Sequence, residues 1–451
     1  MLLEERNALD LEVRKHAGAI SPLRRMPPEL LSLIFEYTLA YSSAEVWNIT
    51  AVCSGWRAIA LSQPSLWSTV VLDFSKKEAE TERRLLARLE RSREAPLTIK
   101  FLTWDENECS DEEWKMLGIL ASYRDRWETV EASGPEDIYD HISGELPVLR
   151  ELRITIHPSW RGRQTGDFAD CPRLHFVSIN PSSLSDPLQL VWLPFFQLLR
   201  FSGSNSWTKH LHSLRSAENL VDCILHCTDT TTIIPSSQST VTLPSLLRLS
   251  VSTTDGLEFL DTPALQELYC DKHAPHIYSF LKRVDKLQKL VAPWSSDRPA
   301  PDLARLLRAA PTITTLGLYV PIDLVADLFS ILAPTAQNKD IIHGPLPALK
   351  AISLRVVADG FDVDAPPPEL DQDVLMEALE SQWHHGSWRS VKLYCPELEP
   401  SPRTLARMEV LCAEGMQVEP SLTPEEHCIV ISFLRTSVFS MTVRLGALEA
   451  R

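Results

Sequence analysis

The sequence feature that most limits the possible folds is a short apolar motif that recurs along most of the chain. In each copy the first and second apolar residues are three positions apart, and the second and third are two apart. The last two residues of a copy fall on one face of a β-strand, because side chains alternate along a strand. Parallel stacking of such strands would bury a core that no single repeat could bury. The copies are Leu149/Leu152/Ile154, Leu174/Val177/Ile179, Phe196/Leu199/Phe201, Leu220/Cys223/Leu225, Leu246/Leu249/Val251, Leu265/Leu268/Cys270, Leu287/Leu290/Ala292, Ile313/Leu316/Leu318, Leu349/Ile352/Leu354 and Trp388/Val391/Leu393.

The spacing of the copies indicates the class of repeat. Their central positions lie 25, 22, 24, 26, 19, 22, 26, 36 and 39 residues apart. All but the last two spacings match, to about a residue, the 20–29-residue period of leucine-rich repeats, which the chain resembles. The asparagine or cysteine that this family carries after each strand is absent, so a generic α/β domain with leucine-rich strands is the alternative. Helical segments are predicted between the strands at 207–218, 275–284, 301–310, 322–332 and 373–383, with a terminal capping helix at 405–418.

A second feature lies near the N-terminus. Residues 27–35 read Pro-Pro-Glu-Leu-Leu-x-x-Ile-Phe, and the apolar residues at 30, 31, 34 and 35 form one face of a helix. The prolines suit a first helical turn. A second helix is predicted from about 44 to 60, and Pro64 ends it. The two helices would form a hairpin that is only marginally stable alone.

This segment resembles the F-box, and particularly the fungal, basidiomycete-type form. The anchors occur in order, since residues 27–35 are followed by Val52-Cys53-x-x-Trp56-Arg57 and then by Leu66-Trp67. The resemblance implies docking on the Skp-type adaptor of a cullin–RING ubiquitin ligase. Trp56 and Trp67 are predicted to hold the module together, and an unrelated helical hairpin is the alternative. The residues predicted to contact the adaptor are Pro27, Pro28, Leu30, Leu31, Ile34, Phe35, Val52 and Cys53.

The predicted fold class is therefore α/β, with an all-α F-box helical hairpin followed by an irregular leucine-rich-repeat-like solenoid. Two weaker motif copies, Trp67/Val70/Leu72 and Trp127/Val130/Ala132, indicate that strands begin directly after the F-box. Acidic or proline-rich insertions are predicted at 333–344 and 359–368. The predicted parts are an N-terminal helix at 1–20, the F-box at 21–68, the solenoid at 69–418 and a C-terminal cap or extension at 419–451.

Composition and motifs exclude several functions. The 44 basic and 60 acidic side chains give a net charge of −16, which opposes nucleic-acid binding. Nine cysteines without a C-x-x-C motif indicate neither a zinc ribbon nor a disulfide framework, and they favour the cytoplasm or nucleus. The polar N-terminus argues against a signal peptide, and no apolar stretch suits a membrane helix. No catalytic, cofactor or metal motif stands out, so no enzyme, cofactor or metal is predicted. Two groupings with plausible metal spacing, Cys270/His273/His276 and Cys223/His226/Cys227, are interpreted as ordinary core and loop residues.

The residues that flank the central apolar positions are predicted to face away from the core, on the concave strand face. From this face we select six candidates for binding a target protein, because Arg and Tyr are enriched at binding hot spots. The alternative is that they are solvated strand positions. The six are Arg200, Arg248, Tyr269, Asp271, Tyr319 and Arg355. The other residues predicted on this face are Glu151, Arg153, Asp222, His226, Glu267, Lys289, Lys392 and Tyr394.

Together these features predict a substrate-recognition subunit of an SCF-type ubiquitin ligase. The F-box would bind the adaptor, and the repeats would bind an unknown target protein. The alternative is a non-catalytic interaction scaffold whose F-box binds the adaptor without ubiquitin transfer.

Overall fold

The structure is a computed structural model that divides the chain into two units. The first comprises residues 1–150 with 170–173, and the second comprises 151–169 with 174–451. Glu5 and Arg6 are helical, and the rest of the N-terminal helix predicted at 1–20 lies outside the described residues. The insertions predicted at 333–344 and 359–368 and residues 421–451 also lie outside them. The described residues are 5–6, 26–41, 46–74, 81–102, 110–135, 137–157, 167–181, 191–227, 239–271, 277–294, 305, 307–321, 324–332, 348–357, 372–385, 389–394, 401–415 and 417–420.

The helical module of the first unit contains three helices rather than the two predicted. They are α1 (Pro28–Tyr41), α2 (Val46–Val52) and α3 (Ser54–Ser62), followed by a 3-10 turn at Pro64–Trp67. The single helix predicted for 44–60 is wrong because Cys53 has an extended backbone, with φ −158° and ψ 170°. The Cys53 Sγ accepts a hydrogen bond from the Trp56 backbone N–H at 3.4 Å, so Cys53 caps α3.

Three strands alternate with three further helices in the rest of the first unit. They are β1 (Thr69–Asp73), α4 (Glu82–Ser92), β2 (Leu97–Leu102), α5 (Asp111–Ala121), β3 (Trp127–Pro135) and α6 (Asp137–Ile142). The strands are parallel, and the buried residues Val70, Ile99 and Val130 stand in register across them. The sequence motif did not predict β2, because Leu97 stands two rather than three residues before Ile99. The register shifts between Leu97 and Thr98.

The second unit repeats this arrangement over eleven described strands that pair in parallel. In pairing order they are β4 (Glu151–His157), β5 (Phe176–Pro181), β6 (Arg200–Asn205), β7 (Asp222–Cys227), β9 (Arg248–Val251), β11 (Glu267–Cys270), β12 (Lys289–Pro293), β13 (Thr315–Pro321), β14 (Ala351–Val357), β15 (Ser390–Tyr394) and β16 (Gln417–Pro420). Two short strands, β8 (Val241–Thr242) and β10 (Leu260–Asp261), pair separately.

Helices occupy several of the predicted positions between these strands. They are α7 (Trp207–Leu214), α8 (Ile277–Leu281), α9 (Val325–Leu332), α10 (Gln372–His385) and α11 (Pro402–Ala413). The segment predicted as a helix at 301–310 is only partly described. The predicted cap at 405–418 instead contains part of α11 and part of β16. Parallel strands alternating with helices confirm the α/β, solenoid-like fold class.

The strand register confirms the predicted stacking of the motif copies. In nine of the ten copies the central residue is buried, and Phe201 stands in the central place of the tenth, so one continuous row of apolar side chains runs from strand to strand through the second unit. The stacked central residues are Leu152, Val177, Cys223, Leu249, Leu268, Leu290, Leu316, Ile352 and Val391.

For one copy, Phe196/Leu199/Phe201, the sequence pattern assigns the central position two residues too early. Phe201, rather than Leu199, pairs with Val177 and Cys223 and is buried. Phe196 and Leu199 are 61% and 43% exposed. The third apolar position is Gly203, where an added Cβ would lie 2.5 Å from the Phe201 ring. The Phe201 ring therefore occupies the space that a side chain at position 203 would fill. Because residue 203 is glycine, the sequence shows no apolar residue at this position.

Candidate functional site

The three helices of the helical module enclose a small apolar core. Leu31 and Phe35 on α1 pack with residues of α2, α3 and the 3-10 turn, and the Phe35 and Trp56 rings lie 4.8 Å apart. Glu36 on the outer side of α1 accepts a hydrogen bond from Ser65 at 2.9 Å. The buried members of this core are Leu31, Phe35, Val46, Ile49, Ala60, Leu66 and Trp67.

Trp67 ties this core to the rest of the first unit. Its side chain is fully buried, and its Nε1 donates a hydrogen bond to the Ala60 carbonyl at 2.8 Å. The Trp47 ring meets it edge-on at 5.0 Å between centroids. The Arg91 guanidinium of α4 lies 4.4 Å from the Trp67 ring centroid and 4.8 Å from that of Trp47. Cation–π contact therefore joins α4 to the helical module.

The residues predicted to contact the adaptor fall into two groups. Six of them are exposed, and Leu31 and Phe35 are buried within the module's own core. The expectation that Leu31 and Phe35 face a partner is corrected because they lie one helical turn apart on the inner side of α1, where they fill the space beneath α3. The exposed six are Pro27, Pro28, Leu30, Ile34, Val52 and Cys53.

The exposed side of α1 carries an apolar stripe. Leu30, Leu33, Ile34 and Tyr37 are 50%, 60%, 43% and 67% exposed. Leu33, Ile34 and Tyr37 follow Leu30 by three, four and seven residues, and this spacing places all four on one helical face. Leu33 and Tyr37 were missed by the sequence analysis, although the helical spacing from Leu30 was available as a signal. We call these four residues the apolar stripe.

The open face of the sheet in the second unit begins with a ladder of alternating charge. Successive register partners are Arg200, Asp222, Arg248, Glu267 and Lys289. Arg248 contacts Asp222 at 2.8 Å, and the Lys289 Nζ lies 4.0 Å from Glu267. Cross-strand pairs of opposite charge stabilise neighbouring strands. The predicted target residue Arg248 is thus engaged with its neighbouring strand.

Overlapping the end of this ladder, the same face forms a groove of about 300 Å³ across β11–β15. Tyr269, Tyr319 and Arg355, three of the six predicted target residues, line it. The described lining of this strand groove does not include Arg200, Arg248 or Asp271. Lys289 and Lys392 line it as well, so the sequence prediction named these two for the face without selecting them.

Several strongly shifted pKa values belong to wholly or largely buried groups around α7 and β7. Burial lowers the pKa of His210 and of His226 to about 4. The His210 Nε2 lies 3.2 Å from the His226 carbonyl, and its Nδ1 is buried without a hydrogen-bond partner among the described residues. Burial also raises the pKa of Cys223, and raises that of Cys227 to about 12. The thiolate form that nucleophiles and metal ligands require is therefore disfavoured at both cysteines.

Comparisons with known proteins identify the helical module as F-box-like. Residues 23–73, which include α1, α2, α3 and β1, match the family model of that description. None of the curated protein sequences compared with the chain matches it. A solved structure described as the Rad7 and Elc1 complex in yeast is similar at 13% identity and a TM-score of 0.35, and the match covers 91% of this chain and 97% of that one. Among the described residues, no helix is long and apolar enough to cross a membrane.

Proposed function

We propose that this chain is a substrate-recognition subunit of an SCF-type ubiquitin ligase. The F-box-like module docks on a Skp-type adaptor, which connects it to the cullin–RING ligase, and the sheet of the second unit holds a target protein. The chain forms no bond with ubiquitin itself. Its role is to raise the local concentration of the target near the ligase.

The observation that carries this proposal is the apolar stripe on an F-box-like module. A stripe with about half of each side chain exposed is energetically costly in water, and a groove on a partner would cover it. Helix-in-groove recognition uses residues at this spacing as anchors. Pro27, Pro28, Val52 and Cys53 are exposed on the same module and complete the proposed contact set.

Co-purification distinguishes this proposal from a scaffold that binds the adaptor alone. The tagged chain is expressed with a Skp-type adaptor, a cullin and a RING subunit, and the recovered complex is assayed for ubiquitin transfer. Recovery of all subunits with active transfer supports the ligase role. Recovery of the adaptor without the cullin supports the scaffold.

The first prediction concerns Leu30 on the apolar stripe. Leu30→Asp places a charge where the adaptor groove is apolar, so we expect a loss of at least about 2 kcal/mol, or roughly thirtyfold in affinity. The affinity of the full-length chain for the purified adaptor is measured by calorimetry. Because Leu30 is half exposed, the variant should unfold at the same urea concentration as the wild type.

Leu86→Asp is the matched control, because Leu86 lies on α4 of the same unit and is 45% exposed. It changes the same side chain at similar exposure outside the apolar stripe. Adaptor affinity should stay within about twofold of the wild type. Normal adaptor binding by Leu30→Asp, or equal losses in both variants, would refute docking through the stripe.

A further inference from the structure

We propose that the strand groove binds an extended acidic segment of a partner protein. This inference rests on the proposed function, because it specifies the kind of target that the second unit holds. It is carried by the arrangement of side chains on β11–β15 and by their charge.

The floor of the groove is a row of small side chains that crosses the strands. Val291, Gly317 and Ser353 are register partners on β12, β13 and β14, with Tyr269 at one end of the row and Lys392 at the other. Gly317 leaves the middle of the row low, and a Cβ added there would lie 3.0 Å from the Val291 Cγ2. The floor is therefore closed, and a ligand would lie over it rather than insert between the strands.

The length of this row suits an extended peptide. From Tyr269 to Lys392 it crosses four strand spacings of about 4.8 Å, or roughly 19 Å. An extended chain rises about 3.3 Å per residue, so about six residues would span the row. The neighbouring rows form the walls, with Thr315 and Ala351 on one side and Tyr319 and Arg355 on the other.

The charge of the groove determines the chemistry of its ligand. Lys289, Arg355 and Lys392 contribute to the lining, and the described lining residues include no carboxylate. Glu267 borders the groove, where its carboxylate is shared by Lys289 and the Tyr269 hydroxyl. Among the described lining residues, basic side chains thus outnumber acidic ones, on a chain of net charge −16. An acidic segment would gain charge-assisted hydrogen bonds from these cations.

The two tyrosines favour a peptide over a simple polyanion. The Lys289 Nζ lies 5.1 Å from the Tyr269 ring centroid, and the Arg355 guanidinium lies 5.8 Å from that of Tyr319. Ring faces beside cations offer apolar contact between the charged positions of a peptide. A nucleic acid would require a larger basic field than three cations on an acidic chain.

The test uses the full-length chain and two labelled pools of random eight-residue peptides. One pool carries Asp or Glu at every second position, and the other carries Lys or Arg there, because alternate residues of an extended peptide face the same side. A labelled eight-nucleotide single-stranded DNA is the third probe. We expect the acidic pool to bind at least tenfold more tightly than the basic pool and the DNA.

Two triple variants with the same change in charge locate the binding. K289Q/R355Q/K392Q removes the groove cations and should weaken binding of the acidic pool at least tenfold. K282Q/K286Q/R308Q removes three exposed cations of the same unit that do not line the groove, and binding should stay within about twofold. Circular dichroism checks that both variants are folded.

Each other outcome overturns the inference. Absence of a preference for the acidic pool excludes the acidic ligand, and equal losses in the two triple variants indicate only long-range attraction. DNA binding as tight as peptide binding identifies a general polyanion site. Adaptor affinity, measured on the same samples, separates the two proposals. Loss of peptide selectivity with normal adaptor binding refutes the groove alone, whereas failure to bind the adaptor refutes the ligase role.

Discussion

Trp67→Ala is expected to lower the free energy of unfolding of the helical module by about 3–5 kcal/mol, the usual range for a buried aromatic side chain. The substitution removes a fully buried ring and its contacts with Trp47 and Arg91. It also leaves the Ala60 carbonyl without its 2.8 Å hydrogen bond. Because a module this small has a low free energy of unfolding, local unfolding and loss of adaptor binding should follow.

Limited proteolysis and urea denaturation check this prediction. The variant should be cut first within residues 26–67, while peptides from the second unit stay protected. Trp192→Ala is the matched control, because Trp192 is 62% exposed in the second unit and should cost no more than about 0.5 kcal/mol. An unchanged digestion pattern for Trp67→Ala would contradict the packing described for the module. Trp56 is only partly buried, so its truncation should cost less.

The repeat fold could be predicted from the sequence because most of the buried strand positions carry an apolar residue. Leucine, isoleucine and valine recur at a fixed spacing, and burial of their side chains makes the stacked strands favourable. The prediction failed where a buried position carries no apolar side chain. At Gly203 the Phe201 ring fills the gap, and the Trp207 ring similarly takes the place of a side chain at Gly256, where no motif copy was predicted. A ring that fills the space beside a glycine depends on contacts in three dimensions, and it leaves no periodic pattern in the sequence.

The candidate site could be predicted only in part from the sequence. The F-box pattern identified α1, but a pattern of apolar residues does not distinguish the inward face of a helix from an outward face that awaits a partner. Leu31 and Phe35 therefore entered the predicted contact set, and Leu33 and Tyr37 did not. Tyr269, Tyr319 and Arg355 of the strand groove were selected from the sequence as target-binding candidates, but the groove itself was not predicted, because its depth depends on side chains from several strands.

The boundary between the parts of the chain also depends on three-dimensional contact. The sequence predicted a division at residue 68, where the F-box motif ends. The structure divides into two compact units near residue 150, with β1, β2 and β3 in the same unit as the helical module, and the boundary at residue 68 stays a prediction. The Arg91 contact with Trp67 accounts for part of this grouping. An F-box motif indicates where the anchors end, and it carries no information on which strands pack beside them.

A further prediction is that the second unit loses stability in mild acid because burial keeps two histidines neutral in the folded chain. The pKa of His210 and that of His226 lie near 4, below the usual 6.5, because burial disfavours the charged imidazole. Between pH 6.5 and 4 the unfolded chain binds protons that the folded chain does not. Stability is therefore full above pH 6.5 and falls toward pH 4, by roughly 3 kcal/mol for each histidine.

His210→Gln tests this prediction, since glutamine does not titrate in this range. Urea denaturation of the full-length chain, followed by circular dichroism, gives the free energy of unfolding from pH 7.5 to 4.5. The two profiles should run parallel above pH 6.5, and between about pH 6 and 4.5 the wild type should lose up to about 1.4 kcal/mol more per pH unit than the variant, which corresponds to one proton. His212→Gln removes an exposed imidazole from the same helix, α7, and its profile should follow the wild type. Parallel profiles for His210→Gln and the wild type would mean that His210 is not held neutral in the folded protein.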